Sequence, residues 1–302
     1  MSALLSFLES SGFLPPSLRD ARALVKLLVV TWFGKRHIAV EDLTDLDHVV
    51  DCIVRPVAQR TDIGITWDKF EQAASSGMPV LIRGLGRLLG PFYKDPEKGD
   101  FTTDHEQRGK VASWPVLAQL GSLRIFSRMF IAVQLYKYYD VRTTPVTASA
   151  LADDPNAFAK AAIVVLVSGK DSQTKEKKVF GYYVPDIDFE RERPYLFQLC
   201  DIQNAFRGNG PRPGRELDGD ELVFGQKGNG AALVLQQDLK RAVVSHSVSG
   251  QHEPLYAATT WGGDWRVEIE VEEIELWLEE SPDFSNYGYE DEEEDKDEED
   301  GE

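Results

Sequence analysis

The 302-residue chain has little cysteine, no long apolar run and no surplus of basic residues. Its two cysteines, Cys52 and Cys200, lie far apart and match no zinc or redox spacing, so both are predicted to be reduced packing residues. The longest apolar runs, such as Ala161 to Val167, are shorter than the ~20 residues that cross a bilayer. Met1 to Ser10 lacks the basic start of an export signal. We therefore expect a soluble cytoplasmic protein with no transmembrane segment and no disulfide framework.

The charge balance is acidic, with 33 Lys and Arg against 51 Asp and Glu and a net charge of −18. Residues 290–302 hold eleven acids and one lysine, or −10, which leaves −8 for the rest of the chain. Phosphate binding needs a concentrated basic face, so no nucleic-acid partner is expected. A self-repelling segment buries no core, and residues 283–302 are predicted to be a disordered acidic tail. Its predicted role is solubility, with contact to a basic partner as the alternative.

Residues 1 to about 138 mainly have the apolar spacing of helices. Ser17 can cap a helix whose leucines and alanines fall on one stripe, and the same spacing recurs over Leu43 to Ile53. A third stripe follows Pro79, and a long apolar helix is predicted from Trp114 to Val133. The first part of the chain is therefore expected to be helical.

A possible metal site in this helical part is the segment from Asp62 to Phe70, which resembles the second half of an EF-hand loop. Lys69 occupies the place of the required bidentate Glu, while Ala58 and Arg60 occupy the first and third ligand positions. A cation there would meet a positive charge and too few oxygens, so no metal is expected.

After about residue 160 the apolar period changes to two, which is typical of antiparallel strands. Ile163 to Val167 and Val179 to Val184 predict a hairpin joined by a polar connection. In the last strand, the apolar positions shift by one between Val271 and Ile274, so a bulge is predicted at Glu272-Glu273. Further strands are predicted over Tyr195 to Leu199, Leu222 to Gly225, Ala232 to Leu235 and Ala242 to Ser245.

Helices followed by antiparallel strands indicate the α+β class. We expect a helical N-terminal region followed by a two-sheet β-sandwich flanked by helices. Asp95 to Lys110 is polar, with charges and two glycines, and is the predicted linker. The predicted units are residues 1–100, which are helical and degenerate-EF-hand-like, residues 110–282, and the tail at 283–302.

Few residues offer catalytic chemistry. Ser245-His246-Ser247, with His252 nearby, combines a nucleophile and a base, but neighbours on a strand point to opposite faces. Cys200 has Asp201 beside it, and a neighbouring carboxylate would disfavour the reactive thiolate. No activating base is evident in the sequence. No catalytic residue is therefore predicted.

Three other polar features are predicted to be structural. Gly225, Gly228 and Gly230 join two strands rather than a strand and a helix, so they predict a hairpin and not a phosphate loop. The segment from Arg207 to Asp220, rich in Gly and Pro, is predicted to be a mobile surface loop with solvated arginines. The acidic run Glu272 to Glu275 is predicted to be the solvated edge of a terminal strand.

Five short motifs occur in a characteristic order in the second half of the chain. They are Val179-Phe180-Gly181, Leu196-Phe197-Gln198-Leu199, Leu222-Val223-Phe224-Gly225, a Leu-x-Leu strand within Ala232 to Leu235, and Ile274-Glu275-Leu276-Trp277. In this order they resemble the TLDc domain. The family's signature positions then fall on Phe180, Gly181, Phe197, Phe224, Gly225, Glu275 and Trp277, for which structural roles are expected. In place of the family's Trp-x-Leu-Leu-Tyr-Ser-like strand, this chain has Leu135 to Tyr139.

The resemblance implies a non-enzymatic interaction module that binds the vacuolar proton-pumping ATPase (V-ATPase), modulates its assembly and contributes to oxidative-stress resistance. Some TLDc relatives also carry an EF-hand-like helical region upstream, and the arrangement is most similar to the fungal restriction-of-telomere-capping group. The implied location is the cytoplasm, including the surface of the vacuole or lysosome, with no cofactor. Two alternatives stay open: an antioxidant enzyme that uses Cys200, and a helical calcium sensor built on residues 40–90.

Overall fold

The computed structural model describes residues 17–33, 43–58, 109–123, 133–153, 163–185, 193–210, 214–249, 253–257 and 263–279. Over these ranges the protein is of the α+β class, with four helices and one large antiparallel sheet of ten strands. The helices are α1 (Leu18–Phe33), α2 (Leu46–Ala58), α3 (Trp114–Ser122) and α4 (Ala148–Ala152). The strands are β1 (Val133–Asp140), β2 (Ile163–Asp171), β3 (Lys177–Val184), β4 (Tyr195–Cys200), β5 (Asn204–Arg207), β6 (Arg215–Asp218), β7 (Glu221–Gln226), β8 (Asn229–Leu235), β9 (Arg241–Ser247) and β10 (Trp265–Glu279).

Strand β10 lies at the centre of the sheet. The order is β5-β4-β3-β2-β10-β9-β8-β7-β6, and β1 also pairs with β10. One side of β10 pairs with β2, while the other side pairs first with β9 and then with β1. The register of the β10–β2 pair shifts between Val271 and Glu273, so the predicted bulge is confirmed. The bulge keeps Ile269 and Val271 on the same buried face as Ile274 and Leu276.

Helices α1 and α2 pack against each other through apolar stripes and ion pairs. Ser17 caps α1, because its hydroxyl accepts from the Asp20 amide at 3.2 Å while Asp20 accepts from the Ser17 amide at 3.2 Å. The α1–α2 contact carries two 2.7 Å ion pairs, Arg22–Asp51 and Lys26–Asp47. The buried stripes consist of Ala21, Val25, Leu28 and Val29 on α1 and Val49, Val50 and Ile53 on α2.

Two clusters of buried apolar side chains use the two faces of the sheet. The first cluster lies between α1–α3 and one face of β2–β4 and β10. The second cluster contains buried side chains on the opposite face of these strands, together with side chains of β7–β9. Both faces of β2 are covered, which explains its continuous apolar run. Sheet residues of the first cluster include Val164, Leu166, Tyr183, Phe197 and Trp277; the second includes Phe180, Tyr182, Leu196, Phe224, Leu233 and Val244.

Several local predictions need correction. The helix predicted from Trp114 to Val133 is wrong in its extent, because α3 ends at Ser122 and Val133 begins β1. Apolar spacing alone did not mark this end, and residues 124–132 lie outside the described ranges. Part of the predicted loop at 207–220 is also wrong, since Arg215–Asp218 forms β6. This strand at the sheet edge has largely exposed side chains, so it lacks the apolar alternation by which strands are recognised. The helical stripe after Pro79 and the EF-hand-like segment lie outside the described residues.

Trp277 should contribute strongly to stability, because it is 1% exposed and packs in the cluster between sheet and helices. We expect Trp277→Ala to lower the free energy of unfolding by about 3–5 kcal/mol, as large-to-small core substitutions do. Trp277→Phe, which retains more apolar volume, should lose less. Urea denaturation followed by circular dichroism measures both variants. Equal urea midpoints for the wild type and Trp277→Ala would contradict the placement of this side chain.

Candidate functional site

The seven signature residues all lie in described strands, and several of them touch. Phe180 and Phe224 belong to the second buried cluster, whereas Phe197 and Trp277 belong to the first. Gly181 pairs with Phe197 across β3 and β4, and a Cβ on Gly181 would collide with the Phe197 ring. Glycine is required there because the ring and the β2 backbone approach so closely. The first Phe-Gly motif therefore makes room for the Leu-Phe-x-Leu strand.

The backbone conformation also explains why the second Phe-Gly motif has a glycine. Gly225 adopts a positive φ of 94°, and an added Cβ would meet the carbonyl oxygen of Ala231. It lies just before the turn of the β7–β8 hairpin, whose pairing shifts register between Gly225 and Gln226. The prediction that Gly225, Gly228 and Gly230 join two strands in a hairpin is confirmed by this strand pair.

Glu275 is a buried carboxylate, with 0% of the residue exposed. One carboxylate oxygen accepts from the Val111 amide at 2.8 Å. The other accepts from the Ala112 amide at 3.0 Å and from the indole nitrogen Nε1 of Trp277 at 3.0 Å. Three donors thus compensate a group that would be costly to bury alone. A Cβ on Gly109 would collide with the same carboxylate, so the segment from Gly109 to Ala112 fits closely over it.

The prediction that Glu275 belongs to a solvated strand edge is wrong. It lies on β10 between β1 and β2, where both edges of the strand are hydrogen-bonded. Glu275 and Trp277 share a face because they are two residues apart on one strand. Glu272 and Glu273 are half-buried and bind neighbours, with Glu272 3.1 Å from the Lys170 ammonium and Glu273 accepting from the Tyr138 hydroxyl at 3.0 Å.

Replacing Glu275 by Gln should lower the free energy of unfolding by about 1.5–3 kcal/mol, the range for hydrogen bonds to charged groups. A glutamine cannot present two acceptor oxygens to the two backbone amides and the indole. Urea denaturation measures the loss. Glu270→Gln on the same strand is the matched control, because Glu270 is exposed and pairs with Lys175, and it should change stability by less than about 1 kcal/mol. Equal losses in the two variants would contradict the anchoring role of Glu275.

A second polar cluster lies where α2 meets the end of β4, and it contains both cysteines. The imidazole nitrogen Nε2 of His48 lies 3.1 Å from Cys200 Sγ and 3.7 Å from Cys52 Sγ. The three atoms all lie within 4.8 Å of one another. Both thiols are free and buried, while His48 is exposed. We call these three residues the thiol–imidazole cluster.

The local folding of two elements positions this cluster. His48 and Cys52 are four residues apart on α2, so their side chains share one helix face. The helix is held to the residues after β4 by the backbone amide of Gln203, which donates to the Cys52 carbonyl at 2.9 Å. Arg55 adds a 2.9 Å ion pair with Asp201. Cys200, the last residue of β4, is therefore brought against the helix.

Asp201, the carboxylate next to Cys200, is paired with two basic side chains. Its carboxylate accepts from Lys178 at 2.8 Å and pairs with Arg55. Burial alone would raise the pKa of Asp201, but these basic partners outweigh burial and lower it. The ammonium of Lys178, itself largely buried, is held charged by the same pair. Asp201 still raises the pKa of Cys200, as the sequence suggested, but this effect is smaller than the lowering by Cys52 and His48.

The electrostatics of the two thiols differ. The hydrogen bond from Cys52 and the neighbouring His48 lower the pKa of Cys200, against burial, which acts in the opposite direction. Donation to Cys200 and burial raise the pKa of Cys52. Cys200 was predicted to lack an activating base, and this prediction is wrong, because the His48 imidazole lies 3.1 Å from its sulfur. Sequence reasoning missed His48, whose one local signal is its spacing of four residues from Cys52 on an amphipathic helix.

At pH 7, with reductant and a chelator present, iodoacetamide should modify Cys200 faster than Cys52, because the thiolate is the reacting species. The alkylation rate of Cys200 should reach half its maximum below the pH of about 8.5 that is typical of a free thiol. Mass spectrometry of the two cysteine peptides gives both rates. His48→Gln should move this midpoint upward. A wild-type midpoint at or above that of free cysteine would contradict the geometry of the cluster.

The remaining candidates do not combine into a site. His246 is buried, its Nδ1 donates to the Gly263 carbonyl at 2.6 Å, and its ring stacks on Trp265 with centroids 5.6 Å apart. This accounts for it as a core histidine, while His252 lies outside the described residues. Arg212, the segment from Asp62 to Phe70 and the tail also lie outside the described residues.

No protein-family model matches the sequence, and no curated protein matches it significantly. Within the described residues, no helix combines the length and apolarity needed to span a membrane.

Proposed function

We propose that this protein is a TLDc-type interaction module, without catalytic activity of its own, that binds the cytosolic part of the vacuolar proton-pumping ATPase and modulates its assembly. The proposal includes a role in oxidative-stress resistance and a cytoplasmic location at the vacuole or lysosome surface. The partner comes from the sequence resemblance. The support for the resemblance comes from the packing of the signature residues.

The observation that carries the proposal is that signature residues contact one another in the fold. Gly181 accommodates the ring of Phe197, and Glu275 bonds the indole of Trp277. Residues that were chosen only by motif order thus meet in pairs across or along strands. Such mutual contacts are what a shared domain framework would need, and none of these residues presents a free reactive group.

The same proposal includes a two-sheet β-sandwich. Strands β3 and β7 are five places apart in the sheet order, so on a flat sheet they would lie about 24 Å apart. The ring centroids of Tyr182 on β3 and Phe224 on β7 are 4.4 Å apart. This contact supports a sheet folded over on itself, with the two halves packed face to face as in a sandwich.

A cysteine-dependent antioxidant enzyme is the second candidate, and one observation favours it. His48 Nε2 lies 3.1 Å from Cys200 Sγ, and Cys52 is close enough to act as a second thiol. A base beside a nucleophile is the arrangement that activates a thiol. This candidate requires turnover of peroxide that depends on Cys200.

The test is retention of the purified full-length chain by the purified cytosolic sector of the proton pump at low salt. We expect retention, together with a change in the fraction of pump sector assembled on vacuolar membranes. A chain in which residues 290–302 are replaced by Ser and Gly of equal length should still be retained, with a weaker salt dependence, because the replacement removes eleven acidic side chains.

Peroxide consumption by the same preparation separates the two candidates. The interaction module predicts no turnover beyond the stoichiometric reaction of two thiols. Failure of the pump sector to retain the chain would contradict the proposed partner. Catalytic peroxide consumption that is lost in Cys200→Ser would favour the enzyme.

A further inference from the structure

We propose that His48, Cys52 and Cys200 form a zinc-binding site that joins helix α2 to the end of strand β4. The site does not rest on the proposed function, because it uses none of the signature residues. It assigns a role to both cysteines of the chain.

The donor geometry matches three corners of a tetrahedron. With zinc about 2.3 Å from sulfur and about 2.0 Å from nitrogen, tetrahedral ligation places nitrogen and sulfur about 3.5 Å apart. His48 Nε2 lies 3.1 Å and 3.7 Å from the two sulfur atoms. All three donor atoms fall within 4.8 Å of one another. Small side-chain adjustments would therefore suffice for all three to reach one ion.

The ligand types also suit zinc. Two cysteine sulfurs and one imidazole nitrogen are soft or borderline donors, which favour zinc over calcium or magnesium. Binding would exchange two thiol protons for one Zn²⁺ and release both protons to solvent, so the complex of two thiolates, one imidazole and the ion is neutral. The 3.2 Å hydrogen bond from Cys200 to the Lys177 carbonyl would be given up when that thiol loses its proton.

The fourth ligand is a water molecule or a small exogenous donor. Asp201 is the adjacent carboxylate, but it is already bound by Lys178 and Arg55. His48 is exposed, so solvent reaches this side of the cluster. Three protein ligands with one open position form a recognised class of zinc site.

The placement of the ligands gives the ion a mechanical consequence. Two ligands lie on α2 and the third ends β4, so a bound ion would tie the N-terminal helices to the sheet. Arg55–Asp201 and the Gln203 amide already hold the same junction in register. Because zinc would bind the folded arrangement and not the dispersed ligands, the melting temperature should rise with zinc concentration.

The experiment uses the full-length chain, reduced and stripped with a chelator, then titrated with Zn²⁺ against a chromophoric competitor. One tight equivalent is expected. Co²⁺ substitution should give the visible bands of tetrahedral cobalt and a near-ultraviolet thiolate charge-transfer band. Carboxylates of the acidic tail would give no thiolate band, so the spectrum separates the cluster from adventitious binding.

Three ligand variants, His48→Gln, Cys52→Ser and Cys200→Ser, should each weaken zinc binding at least tenfold. Asp51→Asn is the matched control, since Asp51 lies on the same helix but pairs with Arg22. It should bind zinc like the wild type. His48→Gln changes an exposed residue, and circular dichroism with a urea midpoint checks its fold, so reduced affinity there reports the ligand itself.

The result that overturns the site is a wild-type chain that binds no stoichiometric zinc under reducing conditions, or binds it without a thiolate charge-transfer band. Equal affinity in the wild type and all three ligand variants also overturns it. Ready formation of a Cys52–Cys200 disulfide with peroxide, in a chain that zinc does not protect from oxidation, would assign the cluster to thiol redox chemistry instead.

Discussion

The hydrogen bonds of the Glu275 carboxylate are the interaction on which the arrangement of this structure depends. A buried carboxylate is costly unless donors surround it, and here two backbone amides and an indole supply them. The amides belong to the segment that leads into α3, and the indole belongs to the core between helices and sheet. A single side chain on the central strand therefore fixes the course of a distant segment.

The central position of β10 explains why this anchor reaches so far. It pairs with β1, β2 and β9, and its bulge keeps one apolar face buried along its length. On the opposite face, Glu275 directs the approach to α3, whose Gln119 donates to the Leu199 carbonyl at 2.8 Å. Leu199 precedes Cys200, so the same docked helices also border the thiol–imidazole cluster. The stability of the fold and the geometry of the cluster are thus linked through β4.

Local pattern predicted the strands whose side chains alternate or are fully buried, including β2, β3 and the bulge in β10. It failed for β6, whose exposed residues leave no alternation, and for the end of α3, because apolar residues continue in the sequence beyond Gly121 and Ser122. Glu275 was misplaced because an acid beside other acids has the same pattern whether it faces water or buried amides. The proximity of residues 48 and 200 arises from tertiary packing, which no local spacing encodes. Gly181 and Gly225 lie where an added Cβ would collide with the Phe197 ring and the Ala231 carbonyl, and these constraints arise between neighbouring strands.

The Glu275 carboxylate, and not secondary structure, holds the segment before α3. Val111 and Ala112 belong to neither a helix nor a strand, so their amides should be protected from hydrogen exchange only by this acceptor. Amide exchange of these two residues, followed by NMR in the wild type and in Glu275→Gln, is the most direct measurement. We expect slow exchange in the wild type and a selective loss of protection at both amides in the variant. Fast exchange of both amides in the wild type, or unchanged protection in the variant, would contradict it.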